Sequence, residues 1–296
     1  MSNHVSYGPL PSVFKSVIAE TDPKAERPHY SDALLRDSAH RPLETFDGRY
    51  LLCMETGQLV REEFTLDTET AYDEHWQNMQ TIEPPADWKV KRRTQWLKQH
   101  MEPYRKTNRI FEVGCGQGMT LRAATQGGWQ AEGSEVAKTA AGLASEFSNA
   151  KVHVGLTENM ELDEGQFDVV LCDNVFEHFN QPSKALEVMT KALRPGGVIY
   201  VQTLNSACWS LAKCPHDWFY FSEGHLHLPT LRSLDAYCKQ VGLRMTNIKT
   251  HGYSSAPRLR ATKAGWLHSR RDKILSMIAA RMGWGHRLEC MMIKDA

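Results

Sequence analysis

Long apolar runs are missing from this 296-residue sequence. None approaches the roughly 18 residues a membrane span needs, so stable membrane insertion is not expected. Net charge is also missing. The 35 lysines and arginines balance the 35 acids, and no chain-wide field draws the protein to nucleic acid. There are no internal repeats and no low-complexity tracts. Met1 to Glu20 has no charged-then-apolar signal arrangement. The seven cysteines (Cys53, Cys115, Cys172, Cys208, Cys214, Cys238 and Cys290) form no Cys-x-x-Cys pair, and their number is odd. Reduced thiols in a cytoplasmic protein fit this better than a disulfide framework. What remains is an ordinary globular composition, 41% apolar and 24% charged, with room for one substantial domain plus additions.

Along the chain, residues 1–30 are polar and proline-punctuated, as in a loosely held arm. Tyr50-Leu51-Leu52-Cys53 and Gln58-Leu59-Val60 flank a Glu-Thr-Gly turn and predict a small hairpin within a unit ending near residue 66. Helix-like stretches follow over 69–101, interrupted at Pro84-Pro85. From Arg109 short apolar strands alternate with helical stretches. The strands are predicted at Ile110–Val113, Trp129–Gly133, Val152–Val154, Phe167–Cys172 and Gly197–Val201. Such alternation implies right-handed βαβ units and a Rossmann-like α/β fold, mainly parallel, with helices on both faces. Leu288–Lys294 is expected as a final edge strand, after a helical insertion at about 255–284. A single large domain over 67–296 is expected to contain all of this.

The string Glu112-Val113-Gly114-Cys115-Gly116-Gln117-Gly118 carries the most information. Glycines just after a strand let the backbone turn tightly and approach a ligand, and the following helix N-terminus supplies free N–H groups. Nicotinamide folds use G-x-G-x-x-G, whereas here the spacing is G-x-G-x-G, with Met119 in place of the third glycine of that pattern. Glu112 is placed to accept from a ligand ammonium. Glu135 follows 23 residues later at the end of the second strand, where a carboxylate can accept from both ribose hydroxyls.

Together with Gly133-Ser134-Glu135-Val136, Thr157-Glu158-Asn159, Asn174-Val175-Phe176-Glu177-His178-Phe179 and Leu193-Arg194-Pro195-Gly196-Gly197, this stretch resembles the class I S-adenosylmethionine (SAM)-dependent methyltransferases. It is similar to the group containing the ubiquinone-pathway O-methyltransferase and sugar and natural-product methyltransferases. The resemblance implies SAM as cofactor, held by Glu112, Gly114, Gly116, Gly118, Glu135, Val136, Thr157, Glu158 and Asp173. Val136 would flank the adenine and Thr157 would lie near its amino edge. Leu156 departs from the pattern, because relatives commonly have an acid there. Adenine recognition is therefore expected to use backbone or Glu158.

Methyl transfer from a sulfonium needs alignment of donor and nucleophile, and an alcohol acceptor also needs a base, preferably a histidine. His178 follows the fourth strand. His225 and His227 follow the fifth, in Glu223-Gly224-His225-Leu226-His227, and would face the same side if extended. Each is either the base or a structural residue. In the ubiquinone-pathway relatives a Glu-x-x-Glu-His string resembles a metal-binding set; here Asn174 replaces its first acid, and no metal is expected. Some relatives carry an N-terminal zinc ribbon at a similar place; with only His40, Cys53 and Asp37 as candidate ligands, the hairpin resembles such a ribbon that has lost its metal, since a structural site wants four good ligands. Arg258, Arg260, Lys263, Arg270, Arg271, Lys273 and Arg281 mark the insertion as basic, while Trp266, Leu267, Ile274, Leu275, Ile278 and Met282 recur at roughly helical spacing. It is either an amphipathic helix with a solvated face or a lid whose cations suit an anionic acceptor. The expected activity is methyl transfer to a small-molecule hydroxyl, on a sugar or natural-product precursor. C- or N-methylation and non-catalytic SAM binding are the alternatives.

Overall fold

The structure is a computed structural model and describes residues 40–62, 68–78, 83–252 and 270–295. The N-terminal arm with Asp37, and the insertion residues Arg258, Arg260, Lys263, Trp266 and Leu267, lie outside the described residues, as do the side chains of 270–273.

The chain opens with strands β1 (His40–Thr45), β2 (Gly48–Cys53) and β3 (Leu59–Arg61) and helices α1 (Thr68–Gln77) and α2 (Asp87–His100). The alternating part runs β4 (Arg109–Val113), α3 (Met119–Gln126), β5 (Gln130–Glu135), α4 (Lys138–Ser148), β6 (Lys151–Val154), β7 (Phe167–Asp173), α5 (Pro182–Ala192) and β8 (Leu193–Leu204). It ends with α6 (Trp209–Lys213), β9 (His227–Leu228), α7 (Leu231–Gln240), β10 (Leu243–His251), α8 (Arg270–Arg281) and β11 (Arg287–Lys294).

Seven strands form one sheet in the order β10-β11-β8-β7-β4-β5-β6. The pairs among β4 to β8 are parallel and those of β11 are antiparallel. The central strands are nearly continuously apolar because helices cover both faces. Phe111, Val170, Ile199 and Met189 pack into one core, and Ile110, Val169, Leu171 and Leu121 into the other. Helix starts follow local chemistry. Pro182 opens α5 where its missing N–H costs nothing, and Thr230 and Ser233 close a capping box on α7.

One strand position differs from expectation. β11 is not at the edge but lies between β8 and β10. Its run Cys290-Met291-Met292 is fully buried, and pairing on both sides satisfies the backbone of such a strand. The edges are β6 and β10 instead.

The predicted hairpin is present as β2 and β3, extended by β1 on one side and by β9 on the other. The β3–β9 ladder crosses the boundary drawn at residue 66. His40 and Cys53 face each other across β1 and β2, both buried. The helix expected from the spacing of Ile274, Leu275, Ile278 and Met282 is α8. Ala279 is its buried residue, whereas Ile274, Ile278 and Met282 are exposed. Its apolar face is thus not a core face.

A buried ion pair ties the end of the parallel unit to its start. Asp168 in β7 binds Arg194 Nε at 2.5 Å and also accepts from the backbone N–H groups of Lys106, Thr107 and Asn108. Burial pushes this carboxyl up, but Arg194 and the three N–H groups outweigh it and hold the carboxyl below its ordinary value.

Candidate active site

A cleft opens over the C-terminal ends of β4, β5 and β7, where ligands bind in doubly wound sheets. It encloses about 740 Å³ of empty space, counting solvent at its mouth. Gly114, Glu135, Val136, Leu156, Thr157, Glu158, Asn174, Val175 and His178 line it. Tyr72 and Trp76 from α1 also line it. Sequence reasoning missed these two; only a helical pattern marked their position, some 40 residues before the glycine loop.

The loop glycines divide by role. A Cβ at Gly118 would lie 2.9 Å from the Cα and carbonyl oxygen of Ala144, so this glycine lets α4 pack against the start of α3. A Cβ at Gly116 would meet nothing within 4 Å: it would project into open space beside the loop. Glu135 anchors that loop. One carboxylate oxygen accepts from Gly116 N–H (2.8 Å) and the other from Ala137 N–H (3.1 Å), which leaves each oxygen a lone pair for a ribose diol.

Two buried carboxylate oxygens have no hydrogen-bond partner among the described residues: Oε2 of Glu112 and Oε2 of Glu158. Burial, opposed by Arg93 and Thr120, pushes the Glu112 carboxyl up to about 8. The other oxygen of Glu158 is used, accepting from the N–H groups of Asn180 and Gln181 (2.8 and 3.2 Å) ahead of α5. Buried polar atoms are rarely left unpaired. These two orphan acceptors fit the ammonium and the adenine amino group of SAM, and the Gly116 cradle fits its bulk. Like Glu112, Gly116 and Gly118, Asp173 is not among the residues that line the cleft. Its oxygens accept from Arg93, Asn174 and Gln202 (2.7–2.8 Å).

The histidines separate clearly. His178 sits in a short turn, Phe176–His178, on the cleft wall. Its Nδ1 lies 2.7 Å from the Gly224 carbonyl oxygen and 2.7 Å from the Tyr72 hydroxyl. A carbonyl can only accept, so Nδ1 carries the hydrogen and Nε2 keeps the lone pair. Burial holds the ring below its ordinary pKa, with Glu177 opposing. Tyr72 is pushed up to about 12, mainly by burial, and stays protonated. His225 is held in the same way, Nδ1 to the Tyr220 carbonyl oxygen at 2.6 Å, and its ring lies 4.9 Å from that of His178. The His225 N–H closes a turn onto the Ser222 carbonyl, and the chain then runs alongside β3 into β9, with the Arg61 N–H donating to the Leu226 carbonyl. His227 lies in β9, buried, with Gln58 Nε2 3.2 Å from its Nδ1. It faces the ribbon seam and does not line the cleft.

Glu177, His178 and His225 offer ligand atoms that all lie within 4.8 Å of one another. Thr203 Oγ1 donates to Glu177 Oε2 at 2.8 Å. The no-metal expectation weighed the incomplete ribbon and Asn174; in space His225 joins Glu177 and His178 in a set of three, the protein ligand count of a catalytic zinc site. Among the described residues of α8, none lines the cleft, Arg281 included.

A family model described as a methyltransferase domain matches residues 47–248. The chain belongs to this methyltransferase family. Its fold and glycine loop are those of a class I SAM-dependent methyltransferase, and SAM is the cofactor this family uses. The methyltransferase is similar to the ubiquinone biosynthesis O-methyltransferases of Hydrogenovibrio crunogenus and Alkalilimnicola ehrlichii. With the first it shares 29% identity over 119 residues, 38% of this chain and 48% of the relative. With the second it shares 26% over 166 residues, 49% of this chain and 64% of the relative. The methyltransferase thus spans about half of one relative and under two thirds of the other. Among solved structures it resembles the geranyl diphosphate C-methyltransferase of Streptomyces coelicolor, with a TM-score of 0.53, 12% identity, and 78% and 98% of the two chains covered. It also resembles the YcgJ protein from Bacillus, with 0.51, 15%, and 70% and 99%. At these identities the structures establish the fold of the methyltransferase and nothing finer. No described helix is long and apolar enough to cross a membrane.

Proposed function

We propose that this protein methylates a hydroxyl oxygen of a small-molecule acceptor, of the sugar or natural-product precursor class, with His178 as general base. The observation that carries the proposal is the fixed tautomer of His178 on the cleft wall. SAM, when bound, supplies the electrophilic methyl group. Glu112, Gly114, Gly116, Glu135, Val136, Thr157 and Glu158 would hold it. Gly224 orients the imidazole so that Nε2 can take the hydroxyl proton, and the lowered pKa keeps that nitrogen unprotonated near neutrality. His225 stands beside His178, with ring centroids 4.9 Å apart. The similarity to O-methyltransferases supports oxygen over carbon or nitrogen. Seven free thiols suit a reducing, cytoplasmic setting.

The test is turnover of SAM to S-adenosylhomocysteine with a panel of sugars, phenols and amines. Methylation at oxygen, lost in His178→Ala with SAM affinity intact, is the expected result. Methylation of amines only would overturn the oxygen assignment. SAM binding without turnover on any acceptor would favour a non-catalytic binder.

A further inference from the structure

Beyond the candidate base, a circuit of side chains runs round the C-terminal ends of β7 and β8. The rings of His178 and His225 lie side by side, and His225 is tied to the Tyr220 carbonyl. The Tyr220 hydroxyl lies in the field of Arg287, and Arg287 Nη1 donates to Asn174 Oδ1 at 2.8 Å. Asn174 and His178 both line the cleft, so the guanidinium stands one side chain from the pocket. Arg287 pairs with Leu204, the last residue of β8, which places it on the ligand-binding edge of the sheet.

Its charge has no carboxylate partner among the described residues. Arg61, Arg93, Arg109 and Arg194 each make an ion pair with a carboxylate. Among the described residues Arg287 makes none. The unneutralised charge is felt nearby: His286 is held down to about 4, first by burial and then by Arg287. A structural donor to Asn174 would not need to be a cation. This partly exposed guanidinium has five donors, some of them engaged by Asn174 and Tyr220, and its planar fork matches a carboxylate or phosphate.

We propose that Arg287 is a specificity-determining residue, selecting acceptors that carry an anionic oxygen group, carboxylate or phosphate, near the hydroxyl to be methylated. This rests on the methyltransferase reading above. It moves the acceptor's cation from the basic insertion to the first residue of β11.

The experiment is calorimetry on the full chain loaded with S-adenosylhomocysteine. The carboxylate arm compares 3,4-dihydroxybenzoate with catechol; the phosphate arm compares glucose 6-phosphate with glucose. One anion should bind at least tenfold more tightly than its neutral counterpart, and the arm in which this happens names the group. Arg287→Gln should lose that preference, by about 10- to 100-fold, the worth of one charged hydrogen bond, while neutral probes and S-adenosylhomocysteine bind as before. Arg287→Lys should keep part of the preference, and it reports on charge should the glutamine variant melt early. The proposal is overturned if neither anion is preferred, or if the preference survives in Arg287→Gln. It is also overturned if that variant weakens charged and neutral probes alike, which marks a purely structural arginine. Failure to bind S-adenosylhomocysteine at all would instead overturn the reading on which it rests.

Discussion

Replacing the loop glycines one at a time separates cofactor contact from folding. Both Gly116 and Gly118 have positive φ, +51° and +78°, so alanine at either costs about 1–2 kcal/mol of backbone strain. At Gly116 the added methyl meets no protein atom, and the strain is the whole cost to the fold. At roughly 2–4 °C per kcal/mol for a domain of this size, Gly116→Ala should melt only slightly early. That methyl, however, enters the space assigned to SAM, and the bulkier Gly116→Val should abolish binding. For alanine we expect at least a tenfold loss of affinity, about 1.4 kcal/mol. Gly118→Ala behaves oppositely. Its Cβ meets the Ala144 backbone at 2.9 Å, and overpacking adds about 1–3 kcal/mol. Calorimetry with SAM and thermal melts on both variants read the two effects apart. If Gly116→Ala binds SAM normally, or if Gly118→Ala melts like the parent while losing SAM, the loop does not work in the way described.

Three further outcomes are expected. Removing the base, His178→Ala, should lower single-turnover rates about 10²–10⁴-fold. Because burial lowers the pKa of His178, the parent rate should fall only as pH drops below the ordinary histidine range; a limb above pH 7 would assign the base elsewhere. Asp168→Asn strands a buried Arg194 and should cost about 3–5 kcal/mol. The depressed pKa of Asp168 means its contribution is full above the unfolded carboxyl value and is lost as pH falls through the folded value, so acid melts of parent and variant should converge. EDTA should leave transfer unchanged; one metal per chain by elemental analysis, absent from His225→Ala, would show that Glu177, His178 and His225 hold a cation.

The parallel strands and the glycine loop were legible because their signals are local: a short apolar run, then glycine, then helix formers. Glu135 was legible by spacing from that loop. Non-local pairing left less trace. Nothing within Leu288–Lys294 says which strands flank it, and its apolar run suits an edge or an interior place. The partners of His225 and His227 come from the fold: the Tyr220 carbonyl and the His178 ring for the first, Gln58 for the second. Tyr72 and Trp76 reach the cleft only through the placement of α1, while Arg287 becomes conspicuous only once its hydrogen bond to Asn174 on the cleft wall is seen.

The ribbon has a consequence for how this protein can be rebuilt. The Tyr50 hydroxyl donates to the carbonyls of Ser222 and His225, and β3 pairs with β9 immediately after the loop that carries His225. The hairpin is therefore a splint for the loop that carries His225. It cannot be swapped as a cassette between relatives without its matching 220–228 loop. A library that recombines the two halves at residue 66 should yield active chimaeras only when the 220–228 loop comes from the parent that supplied the hairpin.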